Sequence, residues 1–232
     1  MNTGAGEARK HFQDELRELE LTVQEMGARV QELLGEVLRG FEENDEMLYS
    51  AVIAGDDEVD GYYLKIEREI VDLFALQTPV ATDLRFLTVL LHLNLHLERV
   101  ADMAVNIAKI GLLAAELPRS DAGVSHIREM GQVALRMIGA SMDALARRDL
   151  ELCLRLPSMD DPIDRLNRGM LNEVLAMSDD KAMLEWGIRM HVVSRQIERI
   201  GDHAVDIGEQ VAYLITGEFR EFVDASHPEG IV

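Results

Sequence analysis

Glu98, Asp102 and Asn106 stand at steps of four residues, and Glu198, Asp202 and Asp206 restate the pattern one hundred positions later. On an α-helix a four-residue step rises about 6 Å and drifts about 40°, so each trio forms one oxygen-bearing ridge. Two DxxxD pairs, Asp56 with Asp60 and Asp160 with Asp164, precede the ridges in the same order. Stacked carboxylates on an exposed helix repel one another by roughly a few tenths of a kcal/mol per pair. Keeping the arrangement twice, with no lysine interposed, argues for a use. Oxygen-only donor sets suit hard cations such as Fe(III), Mn(II), Mg(II) or Ca(II), whereas structural zinc prefers cysteine and histidine. The expected centres are open surface sites for one or several ions, with iron, manganese, magnesium and zinc as the candidates. One site would be held by Asp56, Asp60, Glu98, Asp102 and Asn106, the other by Asp160, Asp164, Glu198, Asp202 and Asp206. The Glu-x-x-His pairs of buried di-iron bundles are missing from the sequence. Two plainer readings compete: Asp56, just after Gly55 at a probable helix start, would cap amides and complement the helix dipole, and the ridges would be solvated faces of an acidic protein.

Other reactive residue types carry less. His92 and His96 have the i, i+4 spacing that grips zinc, but they sit roughly 80° or more around the helix from Glu98 and Asp102. Val192 and Gln196 stand in their places one hundred residues on, so no metal role is expected of them. His203, replaced by Met103 in the first copy, is expected to pack or to hydrogen-bond. Arg99 and Arg199 recur beside the ridges and are expected in solvated salt bridges. Trp186 and the methionines read as core, and Cys153 has no catalytic company. With no phosphate-cradling loop, dinucleotide fingerprint or nucleophile elbow in the sequence, no enzyme is expected.

Long helices must position these groups. Phe12, Leu16, Leu19, Val23, Met26, Val30, Leu33 and Val37 alternate steps of three and four, the seam of one helix that needs partners. Asn44 or Asp45 offers an N-cap to a second helix, the segment around Pro79 a set of capping residues to a third, and Pro118 closes it. A shift of 104 then carries Val23, Met26, Val30, Leu33, Leu34 and Phe41 onto Ile127, Met130, Ala134, Met137, Ile138 and Leu145, and Asp56 and Asp60 onto Asp160 and Asp164. For the third helices the shift is 100, which places a four-residue deletion in the loop "LAMSDDKAM", since length changes belong in loops. The prediction is an all-α chain of two tandem, internally repeated antiparallel three-helix bundles. Residues 1–117 form the first repeat, 118–220 the second and 221–232 a tail, and Gly55 is expected to break or kink the second helix.

Composition narrows the partners. With 47% hydrophobic residues the 232-residue chain can bury a real core. Acidic residues outnumber basic ones 43 to 23, for a formal charge of −20, which argues against nucleic acid and anionic lipid. The apolar stretches are too short and too interrupted to span a bilayer, so no direct membrane insertion is expected. With a lone cysteine and an N-terminus without an apolar leader, the chain is expected in a reducing cytosol. Exposed seams and many methionines point to a homodimer.

Taken together, "LERVADMAVNIA" and "IERIGDHAVDIG", the upstream "GDDEVD" and "MDDPID", and "DLRFL" entering the first of those helices resemble the PhoU family of phosphate-transport regulators. The resemblance runs from about residue 12 to 217. It implies two PhoU-like three-helix repeats and a cytoplasmic negative regulator of phosphate uptake and the phosphate-starvation response. Such a regulator is a non-catalytic adaptor between the ATPase of the phosphate ABC transporter and a sensor histidine kinase. Some relatives hold multinuclear iron or other metal clusters through E/D-xxx-D motifs, which here fall on the ten residues named above. Two departures stand out: the usual D-H-A reads Asp102-Met103-Ala104, and the usual second-ridge asparagine is Asp206. The first argues that the histidine is no essential ligand, and the second adds charge. A metal-dependent or metal-storage carboxylate bundle is the alternative; it requires buried ridges and tightly held ions.

Overall fold

The computed structural model describes residues 3–222 as six helices: α1 (Thr3–Glu43), α2 (Glu46–Gln77), α3 (Ala81–Ala114), α4 (Asp121–Arg147), α5 (Leu150–Ala176) and α6 (Lys181–Thr216). Among the described residues there is no strand. The first three helices pack on one another, the last three do the same, and α3 against α6 and α1 against α4 join the halves. Of the expected tail, residues 223–232 lie outside the described residues.

The seam on α1 is buried throughout, from Phe12 and Leu16 at the rim to Val23, Met26, Val30, Leu33 and Val37 at the centre. Their counterparts on α4, Ile127 through Leu145, are equally covered, so one apolar stripe serves both repeats. Local chemistry sets where the helices start. Asp45 caps α2 by accepting from the amides of Met47 and Leu48 at 2.8 and 3.3 Å, and its counterpart Asp149 caps α5 by accepting from Leu152 N at 3.0 Å. Asp180 opens α6 in the same way. The Pro79 segment behaves differently from expectation, for Val80 holds the N-cap position of α3 and has no side-chain cap bond.

Two further expectations are corrected. α2 runs unbroken through Gly55, because that glycine is a point of close approach: a Cβ there would meet Arg29 Nη2 at 2.6 Å and Leu33 Cδ2 at 2.7 Å of α1. Asp56 therefore lies mid-helix, where it has no free amides to cap. The offset change is not a loop deletion either. The α2–α3 link is residues 78–80 and the α5–α6 link residues 177–180, while α2 has 32 residues and α5 has 27. The extra length is about one turn of helix added to the end of α2, which keeps both the phase and the direction of the helix.

Buried polar contacts hold the register of the second and third helices. Asn94, fully buried on α3, donates Nδ2 to the carbonyl of Tyr63 on α2 at 3.0 Å. Its counterpart Ser194 donates to Asn167 Oδ1 on α5 at 3.0 Å. A slip along either helix pair would strand a polar group in the core, so these contacts also fix which carboxylates meet.

Candidate functional site

In the first half, Asp56 and Asp60 on α2 stand beside Glu98 and Asp102 on α3. Burial pushes the Asp56 carboxyl up, the negative charges of Asp60 and Asp102 push it further, and Lys109 opposes them. Glu98 is raised by burial and then by Asp102, with Arg99 opposing and Asp60 and Asp56 adding. Arg99 spans the ridge, with Nε 3.3 Å from Glu98 Oε2 and Nη1 3.3 Å from Asp102 Oδ2. That is the salt bridge expected of it. Asn106 is exposed one turn further along α3.

The second half builds a deeper version. Asp160, Asp202, Asp206 and Glu209 line a cleft of about 230 Å³ with Pro157, Val205 and Phe222. Although its outer edge meets solvent, the Asp202 carboxyl is raised to about 6 by burial, then by Glu198, Asp206 and Asp164, with His203 opposing. Glu198 Oε1 accepts from Arg195 Nη1 at 2.6 Å, while its buried Oε2 has no hydrogen-bond donor among the described residues. Gly201 lets α5 come close, since a Cβ there would collide with the Asp160 carboxylate. The tail after α6 turns back so that Phe222 N donates to Glu209 Oε1 at 2.6 Å.

The ten predicted residues thus sort cleanly. Asp56, Asp60, Glu98 and Asp102 come together, Asp160, Asp164, Glu198, Asp202 and Asp206 come together, and Asn106 stands at the exposed end of its ridge. Sequence reasoning missed Lys109 and Glu209, which the 100-residue offset pairs with each other. A cation in one groove is an anion in the next. It also missed Pro157 and Pro162 inside α5, which remove the amides that would bond the carbonyls of Cys153 and Ser158. The grooves offer oxygen donors alone, the chemistry a hard cation prefers, with the carboxyls of Asp56, Glu98 and Asp202 raised by burial and by neighbouring carboxylates. The described residues that bring three donor atoms within 4.8 Å of one another are instead His96, His203 and Asp206.

Between the halves, His96 of α3 and His203 of α6 meet ring to ring, with centroids 5.2 Å apart and an interplanar angle of 56°. Burial lowers His96, Asp206 opposes that, and His203 and His92 add to it. His203 does make the polar contact expected of it, but its partner comes from the other repeat. No periodicity argument within one repeat could reveal that.

The PhoU domain matches this chain twice, over residues 23–111 and 127–211, each match spanning most of one set of three helices. The chain belongs to the PhoU family. Among its PhoU relatives, a phosphate-specific transport system accessory protein PhoU homolog of Caulobacter vibrioides is 31% identical over 90% of this chain and 91% of its own length. The corresponding Clostridium acetobutylicum protein is 34% identical over 90% and 96%. The crystal structure of PhoU from Pseudomonas aeruginosa superposes with a TM-score of 0.85 at 29% identity, over 89% of this chain and all of that one. The phosphate transport system regulatory protein PhoU from Streptococcus pneumoniae gives 0.83 at 25% identity, over 90% and 99%. The six-helix PhoU architecture is therefore common to all three.

Proposed function

We propose that this protein is a phosphate-transport accessory regulator of the cytoplasm. It restrains phosphate uptake and the starvation response by standing between the ATPase of a phosphate ABC transporter and a sensor histidine kinase. The observation that carries this reading is the pair of PhoU domain matches in tandem, each containing both acidic motifs in order. Among the described residues no helix is long and apolar enough to cross a membrane, so membrane components would be reached by docking.

The proposed role is non-catalytic. Cys153 is buried, with its thiol pushed up to about 11 by that burial and by Asp149, the opposite of an activated nucleophile. The carboxylate grooves would hold hard cations through Asp56, Asp60, Glu98 and Asp102 in one half and Asp160, Asp164, Glu198, Asp202 and Asp206 in the other. A bound cation would supply positive charge that relieves the repulsion, and the residues themselves hold the second and third helices at a fixed spacing. Regulation would act by population shift: an adaptor that prefers the kinase's inactive form biases output by that preference, tenfold for each 1.4 kcal/mol or so. A homodimer fits the exposed Leu113, Leu171 and Leu175. The test is a starvation-responsive reporter in high phosphate. Deleting the gene should switch the reporter on and the intact gene should restore repression; a reporter that stays off after deletion rejects the role.

A further inference from the structure

His96 and His203 have no counterparts in the opposite repeats, where Gln196 and Met103 stand. They meet only because α3 packs on α6. His96 Nδ1 lies 3.0 Å from His203 Nδ1, and Asp206 Oδ2 lies 3.6 Å from the first and 3.5 Å from the second. Around Zn(II), with metal–nitrogen and metal–oxygen distances of about 2.0–2.2 Å, the edges of a coordination tetrahedron are roughly 3.3–3.6 Å long. The triangle of donors already matches that shape to within a few tenths of an ångström. Both imidazoles are largely covered, at 17% and 18% exposure, while Asp206 at 44% leaves one side open for a fourth, exchangeable ligand. With both rings protonated at Nε2 the two Nδ1 lone pairs would face each other, an arrangement that a cation between them turns from repulsive to favourable.

We propose that His96, His203 and Asp206 form a single-ion site for a borderline divalent cation of the Zn(II) class, clamping the first half of the molecule to the second. Two imidazoles and one carboxylate select such an ion, whereas the all-oxygen grooves select hard ones. The site does not depend on the groove reading, although Asp206 is also among the ligands proposed for the second groove and would be shared between the two. An ion here would join ligands from α3 and α6, so its binding would strengthen the contact between the repeats.

The full-length chain, stripped with chelator, is titrated with Co(II) and followed by visible absorption. One equivalent should give the intense bands of tetrahedral coordination, and one equivalent of Zn(II) should abolish them. Zn(II) at a hundredfold excess over its Kd should raise Tm by roughly 5–10 °C. His96→Gln and His203→Gln should each remove the bands, and the double variant Glu198→Gln/Asp202→Asn should keep them. X-ray absorption of the Zn(II)-loaded native chain should show outer-shell scattering from two imidazoles, a readout that needs no variant to fold. Three results would overturn the site: no tetrahedral bands in the native chain, bands that survive both histidine changes, or a zinc environment without imidazole. Tetrahedral bands in a native chain that binds no Mn(II) or Mg(II) in its grooves would count against the groove reading alone.

Discussion

Asp202 is the residue whose protonation reports most directly on its groove. Its carboxyl is raised to about 6, so between about 4 and 6 the folded chain holds a proton that the unfolded chain has released. Its contribution to stability is present below about 4 and is lost as pH rises through about 6. In metal-free protein Asp202→Asn should therefore raise stability at pH 7.5 by about 1 kcal/mol, a figure reduced for solvent screening, with little change at pH 4. Urea midpoints at the two pH values measure this, and equal midpoints for native and variant at pH 7.5 would refute it. Gly201→Ala tests the close approach from the other side. The added Cβ meets Asp160 and, at 3.2 Å, Ile163 Cδ1, so the two helices must part or Asp160 must swing away. The expected cost is about 1–3 kcal/mol, with weaker Mn(II) binding in the second groove and unchanged binding in the first, where Ala101 already stands at the equivalent position.

For an element, what matters is register. Asn94→Ala removes the buried tie from α3 to the Tyr63 carbonyl and leaves a cavity beside it. A loss of about 1–3 kcal/mol is expected, read as a lower urea midpoint with an unchanged m-value. The same substitution should weaken cation binding in the first groove, because Asp56 and Asp60 are held opposite Glu98 and Asp102 by that tie. Unaltered binding would mean that the packing of α2 on α3 fixes the register unaided. Ser194 gives the second half an independent lever, through Asn167.

Across the whole molecule, charge is the dominant tension. A chain of 232 residues with a formal charge of −20 repels itself, and its two grooves concentrate part of that charge in confined space. Raising NaCl from about 0.01 to 0.3 M should raise Tm by a few degrees, because the screening length falls from about 30 Å to less than 10 Å. A few millimolar Mn(II) or Mg(II) should do more than equal ionic strength of NaCl, since grooves capture ions that screening merely surrounds. Identical curves at matched ionic strength would show that the grooves bind nothing. Of the two grooves, the second should bind first: Lys109 partly neutralises one, and Glu209 and Asp206 deepen the other.

Periodicity and repetition were enough to read the helices, their duplication, the seam from Phe12 to Val37, the capping aspartates and both acidic motifs, because each rests on neighbours within a turn or two of the same helix. The same local logic misplaced a break at Gly55, since a glycine's purpose depended on Arg29 and Leu33 of another helix. It also put a deletion in a loop where a whole turn had been added to α2, a change that preserves helix phase and leaves little trace in a hydrophobic pattern. Which carboxylates share a groove, how near α5 comes to α6, and that His96 meets His203 were settled only by packing. Those contacts join residues about 40 to 110 positions apart, and their distances follow from how side chains fill the space between helices rather than from any spacing along the chain.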